Sequence, residues 1–175
     1  ELLREFGLEV HTGVGGTGVV GVLQLGNGEA SVAFRADMDA LPITETGNPE
    51  WRSAHDGVMH ACGPDGHSSM LLGAAAHLAQ HGDFNGRAIF IFQPNEEHGL
   101  GAAAMINDGL FTRFEADAVF ARHNIPGMPA GTFATRAGAM TASESLFEIT
   151  IRARGGHAAM PHMGVDAIYV GAQLV

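Results

Sequence analysis

The chain has 175 residues, 46% of them hydrophobic and 7% aromatic, with a net charge of −10. That composition can bury a core and excludes a disordered segment, and no cluster of Lys or Arg marks it for nucleic acid or an acidic membrane surface. A single cysteine excludes an internal disulfide framework and suits a reducing, cytoplasmic compartment, and no apolar run reaches membrane-spanning length.

The length allows one domain, or one and a part. Both ends read as cut, so a segment of a longer chain is expected. Leu2, Leu3 and Phe6 followed by Gly7 read as the last turns and stop of a helix. Glu1 to Gly7 lacks the basic start and apolar stretch of a signal peptide. Val19 to Leu25 is a β-rich run, Asn27-Gly28 signals a tight turn, and Ala30 to Ala36 returns as a second strand. Pro42 blocks its continuation, and a loop rich in Gly, Pro and Asn runs to about Gly66. Ser68 to Gln80 is expected as a helix with Leu71, Ala74, Ala75 and Leu78 on one face, stopped by Gly82.

Arg87 to Gln93 contains Ala88-Ile89-Phe90-Ile91-Phe92, a continuous apolar run expected as a strand buried on both faces. Leu100 to Asp108 reads as a short helix closed by Gly109, and Asp117 to Arg122 as another strand. This β-α-β-α-β order predicts an α/β domain with a mostly parallel sheet. The pattern changes between Thr135 and Thr141. Beyond it, Ser145 to Arg154 alternates apolar and polar as a half-exposed antiparallel strand does, and a helix begins near Val165. The expected domains are therefore 1–136 and 137–175.

Ligands of open α/β sheets bind at the carboxyl ends of the strands. Asp37, Asp39, Glu96, Glu97 and His123 follow predicted strand ends, and Cys62 and His67 precede the helix at Ser68. Glu96-Glu97 is the sharpest local feature. Adjacent carboxylates after a buried strand repel each other and lose hydration, which a cation relieves; one can ligate while the other moves a proton. The alternative is a helix N-terminus, where acids favour the dipole. Cys62 is either a metal ligand or a small buried residue, with a Cys-His nucleophile as a third reading. His123 could cap a strand end, Asp37 and Asp39 could orient ligands or solvate a turn, and His157 follows Gly155-Gly156, a pair that suits either close backbone approach or mobility.

Five segments, in order, resemble the peptidase M20 amidohydrolases: Phe34 to Pro42, Met59 to His67, Gln93 to Glu97, His123 to Gly127 and Gly155 to His162. The nearest branch is aminoacylase-like and includes hippurate hydrolases, N-acyl-amino-acid amidohydrolases, N-acetyldiaminopimelate deacetylases and plant auxin-conjugate hydrolases. The resemblance implies a zinc-peptidase-like α/β catalytic domain and the beginning of an inserted α+β lid that mediates homodimerisation. It implies two divalent ions, Zn or Mn with Co or Ni as further candidates, and a small N-acyl amino acid as substrate. By motif, Cys62, Glu97 and His123 match metal ligands, Glu96 the general base, and Asp37 and Asp65 supporting acids. His157 matches the lid histidine that holds the scissile carbonyl. Two features depart from the family pattern. Pro64 stands where the family has a ligand histidine, so one imidazole is absent, and the family's last histidine ligand comes from a later part of the chain. The expectation is that this segment alone hydrolyses little.

Overall fold

A computed structural model describes residues 1–175, which divide into two units, Glu1–Met128 and Pro129–Val175. In the first, the elements are α1 (Leu2–Glu5), β1 (Glu9–Val14), β2 (Gly18–Leu25), β3 (Ser31–Asp37), α2 (Pro64–His81), β4 (Gly86–Gln93), α3 (Gly101–Asn107), α4 (Leu110–Arg113) and β5 (Ala118–Ala121). The five strands form one sheet in the order β1-β2-β4-β3-β5.

β4 explains that order. Its apolar run needs cover on both faces, and the structure supplies it with a period of two. Ala88, Phe90 and Phe92 join Leu71 and Ala75 of α2 in one cluster. Ile89 and Ile91 join Met105, Leu110 and Phe114 from α3, α4 and the segment after them in the other. β4 pairs in parallel with β3 and antiparallel with β2, and β3 pairs in parallel with β5. The sheet is therefore mixed, with a parallel centre β4-β3-β5 whose strands end together at Asp37, Gln93 and Ala121.

The turn at Asn27-Gly28 reverses the chain, with Asn85 Oδ1 accepting from both backbone N–H groups. Yet β3 does not return against β2, because β4 lies between them. Strand β1 was not evident from the sequence, where Gly13 and Gly15 interrupt its pattern; it pairs antiparallel with β2. α2 begins a turn earlier than expected. Pro64 occupies its first turn, where the missing N–H costs nothing and the fixed φ suits the helix. That places Asp65 and His67 on the helix rather than in the preceding loop.

The second unit corrects another expectation. Ser145 to Ala153 is not a strand, and only an isolated bridge joins Arg154 to Val165. Alternation tells which face wants cover, but a strand needs a neighbour to accept its hydrogen bonds, and the unit offers none over these residues. Phe147 and Ile149 stay exposed. The later helix forms as α5 (Ala167–Ala172), with Asp166 Oδ1 accepting from the N–H groups of Ile168 and Tyr169.

Candidate metal centre and hydrolytic site

Strand ends and one helix start bring most of the site residues of the first unit to a single rim. β3 ends at Asp37, and Asp39 lies two residues beyond. Asp39 accepts hydrogen bonds from the backbone N–H groups of Glu96 (3.0 Å) and Glu97 (3.1 Å), which ties the β3 rim to the segment after β4. A bridge between Leu41 and Met59 closes the long loop and returns the chain to Cys62.

The acid pair is not at a helix N-terminus, because α3 starts at Gly101. Glu96 and Glu97 sit in a turn entered through Asn95, whose φ is +51°, and closed by Gly99 N–H donating to Glu96 O. Gly101 packs under that turn. A Cβ there would overlap the Pro94 carbonyl oxygen, so a side chain at 101 displaces the segment that carries both acids.

Cys62 Sγ lies 3.3 Å from His123 Nε2. His123 Nδ1 donates to the Asn124 carbonyl at 2.6 Å, which leaves Nε2 turned toward the sulfur. Asp37 and His67 are buried together. His67 Nδ1 donates to Asp37 Oδ1 at 2.6 Å, and Arg35 Nη1 donates to Asp37 Oδ2 at 3.2 Å. Asp65 is exposed in the first turn of α2 and lines a cavity of about 420 Å³ with Trp51, His55, Met59 and His60. His157 is exposed in the second unit, where its Nδ1 accepts from the Ala159 N–H at 3.1 Å.

The electrostatics are those of crowded acids. Burial pushes the Glu97 carboxyl above its ordinary value, helped by Glu96, Asp39 and Asp37, while His123 opposes the shift. Glu97 Oε1 is buried without a hydrogen-bond partner. Desolvation and then the Glu97 carboxylate push the Cys62 thiol up, although the residue as a whole is exposed. A raised thiol is a poor nucleophile, which argues against the Cys-His reading.

We tested whether these donors fit a divalent cation. Their chemistry does: a soft thiol, a borderline imidazole and a hard, orphaned carboxylate oxygen form a mixed donor set in a negative environment, and a positive charge would satisfy all three. Their spacing is less advanced. Cys62 and His123 are in contact, yet no three His, Cys, Asp or Glu side chains stand around one point closely enough to hold an ion. Pro64, buried in the first turn of α2, contributes no donor.

The raised Glu97 carboxyl makes a prediction for the metal-free chain. A carboxyl whose pKa is raised by folding stabilises the fold while protonated, below its ordinary 4.5, and loses that contribution as pH climbs through the raised value. Glu97→Gln removes the penalty, so the variant melts above the wild type at about pH 7 and matches it at about pH 4. Thermal unfolding at the two pH values checks this; equal melting temperatures at neutral pH contradict it.

A parallel-centred α/β sheet with an imidazole and paired acids past its strand ends, and a thiol just before α2, has the fold of a hydrolase of the zinc-peptidase type. The comparisons with known proteins give the family. Residues 33–172 match the sequence profile of peptidase family M20/M25/M40. The chain is 47% identical over 173 residues to the hippurate hydrolase of Campylobacter jejuni, covering 99% of this chain and 45% of that protein. It is 39% identical to the N-acetyl-L-cysteine deacetylase of Bacillus subtilis, covering 99% of this chain and 41% of that one. Among solved structures it resembles a Bacillus subtilis protein described as a dinuclear metal-binding peptidase of family M20. The TM-score is 0.68 at 37% identity, over 73% of this chain and 36% of the other. The chain belongs to peptidase family M20/M25/M40, a family of hydrolytic enzymes. It spans less than half the length of these relatives.

The sequence named Asp37, Cys62, Glu96, Glu97 and His123, and the fold draws all five toward one rim. It did not single out Asn124, which bonds His67, nor Gly63 and Gly101, which leave room for the site. Glycines at a helix start and straight after an acid turn were the available signal.

Proposed function

We propose that this chain is part of a metal-dependent amidohydrolase that cleaves the amide bond of N-acyl amino acids of the hippurate type. The observation that carries the reading is the partnerless, buried Glu97 Oε1 beside the Cys62–His123 contact: an acceptor that a cation would complete. In this reading Cys62, Glu97 and His123 hold metal, Zn or Mn before Co or Ni. When bound, two ions supply the Lewis acidity that polarises the amide carbonyl and acidifies a water. Glu96, its backbone fixed by Asp39, takes the proton from the attacking water and passes it to the leaving amine. Asp37 and Asp65 support the ligands, and His157 holds the scissile carbonyl.

Residues 1–136 are then catalytic-domain sequence and 137–175 the beginning of a lid. The exposed Leu146, Phe147, Ile168 and Tyr169 favour a homodimer through that lid. A single cysteine suits the cytoplasm. The similarity to a hippurate hydrolase supports N-benzoylglycine as the first substrate to try. Full-length protein is expected to hydrolyse it, to stop on chelation and to recover with Zn²⁺ or Mn²⁺, while the 175 residues alone release little benzoate. Full activity after exhaustive chelation contradicts the reading.

A second reading has its own support. Pro64 supplies no donor, and the remaining donors are gathered only in pairs. A relative that has lost its metal site and serves in ligand binding or dimerisation would carry no stoichiometric metal and would leave acyl amino acids intact.

A further inference from the structure

We propose that His67 and Asn124 are positioning residues that set the His123 imidazole against Cys62, with Gly63 as the gap that lets them meet. The inference rests on reading Cys62 and His123 as metal ligands and adds how this chain holds that pair.

His123 follows β5 in a segment without regular secondary structure, and the residues around it are exposed. No ladder hydrogen bond fixes its place, so its approach to Cys62 needs a tether. The tether is a line of side chains running up from the sheet. Arg35 Nε donates to Gln93 Oε1 at 2.8 Å, which joins β3 to β4. The same guanidinium holds Asp37 through Nη1 at 3.2 Å. Asp37 Oδ1 accepts from His67 Nδ1 at 2.6 Å, which joins β3 to α2, and Ser68 Oγ donates to the Asp37 carbonyl at 2.8 Å. The other ring nitrogen, Nε2, lies 2.6 Å from Asn124 Oδ1 and 3.2 Å from Asn124 N. Asn124 thereby joins the segment after β5 to α2.

His67 is 1% exposed, and both of its nitrogens are engaged. The ring therefore has a single orientation, fixed by partners on two other segments of the chain. Its edge meets the His123 ring at 4.5 Å between centroids. The Asn124 carbonyl then accepts a hydrogen bond from His123 Nδ1–H, which fixes the tautomer and points the Nε2 lone pair at the sulfur. Neither His67 nor Asn124 touches Cys62 in this arrangement; each acts through His123. Gly63 is the second, independent sign that the contact is built. A Cβ at that position would overlap Asn124 Oδ1 and crowd His67 Nε2, so a side chain there drives the two apart.

Co²⁺ tests the proposal, because its visible spectrum reports both thiolate ligation and ligand geometry. Metal-free full-length protein and its His67→Gln, Asn124→Ala and Gly63→Ala variants are titrated with Co²⁺ alone, with circular dichroism and melting recorded beside each titration. The wild type is expected to develop a thiolate-to-cobalt charge-transfer band. The variants are expected to bind roughly 10–100-fold more weakly, with displaced d–d bands, at unchanged secondary structure. A merely structural role would lower the folded fraction and leave the band energies of the folded protein as in the wild type; that result overturns the proposal. Wild-type affinity and spectrum in Asn124→Ala and Gly63→Ala overturn it as well. Asn124 is exposed, so its truncation keeps the test alive should His67→Gln fail to fold. A wild-type chain that shows no thiolate band at any Co²⁺ concentration overturns the ligand reading and this inference with it, an outcome distinct from equal binding by all four proteins.

Discussion

Glu96→Gln in the full-length protein is expected to lower kcat/KM for N-benzoylglycine by roughly 10²- to 10⁴-fold while metal content stays as in the wild type. The backbones of the two neighbouring acids are held alike; their side chains differ, and the proposed reading divides the work on that difference. Both backbone N–H groups are anchored on Asp39, so neither residue can swing away from the rim. Glu97 carries the orphaned oxygen and a raised carboxyl, the marks of an acceptor waiting for positive charge. In the proposed reading Glu96 is the acid left to exchange protons with water. Glutamine keeps the size of glutamate and one acceptor oxygen but is too weak a base to take the proton, so the loss belongs to the chemical step. Glu97→Gln, in contrast, is expected to lose metal together with activity. Metal analysis and steady-state kinetics on the two variants distinguish these roles. A fall of less than tenfold in Glu96→Gln would remove Glu96 as the base.

Phe90→Ala is expected to destabilise the chain by about 3–5 kcal/mol, the range for emptying a buried aromatic site. Phe90 is fully buried at the middle of β4, its ring 6.0 Å from that of Phe34 on the parallel neighbour β3. It also packs in the cluster that attaches α2 to the sheet. Both flanking strands and the helix carrying His67 therefore share the cavity, and little of the loss can be recovered by collapse. Against a typical total of about 5–15 kcal/mol this is a large fraction. Thermal or urea unfolding reads it. Because β4 delivers Glu96 and Glu97 to the rim, the weakened sheet should also loosen the acid turn, seen as faster amide exchange from Gln93 to Gly101. A loss under about 1 kcal/mol would show that β4 is not the keystone of the core.

Much of the first unit was readable along the chain, and the reasons are local. The run Ala88 to Phe92 announced a strand covered on both faces, and clusters on the two sides of the sheet share its residues. Leu71 and Ala75 announced the buried stripe of α2. Other features were not local. The turn at Asn27-Gly28 is real, but which strand would lie beside β2 depends on a segment some sixty residues further on, so adjacency in sequence misleads. The strand expected from Ser145 to Arg154 shows the opposite failure. Its alternation is present and its exposed Phe147 still wants cover, yet pairing is a property of two segments, and one segment alone cannot supply it.

The sequence by itself determined the family and named the candidate site residues. Cys62, the Glu96-Glu97 pair, His123 and Asp37 are recognisable in their motifs because reactive side chains in fixed order are a one-dimensional signal. The tertiary structure alone decided who touches whom. That Asp39 holds the backbone of both acids and that His67 reaches Asn124 through the gap at Gly63 both depend on partners more than fifty residues apart. Hydrogen bonds of 2.6–3.1 Å between such distant partners exist only once the sheet has brought its parallel strand ends to one rim.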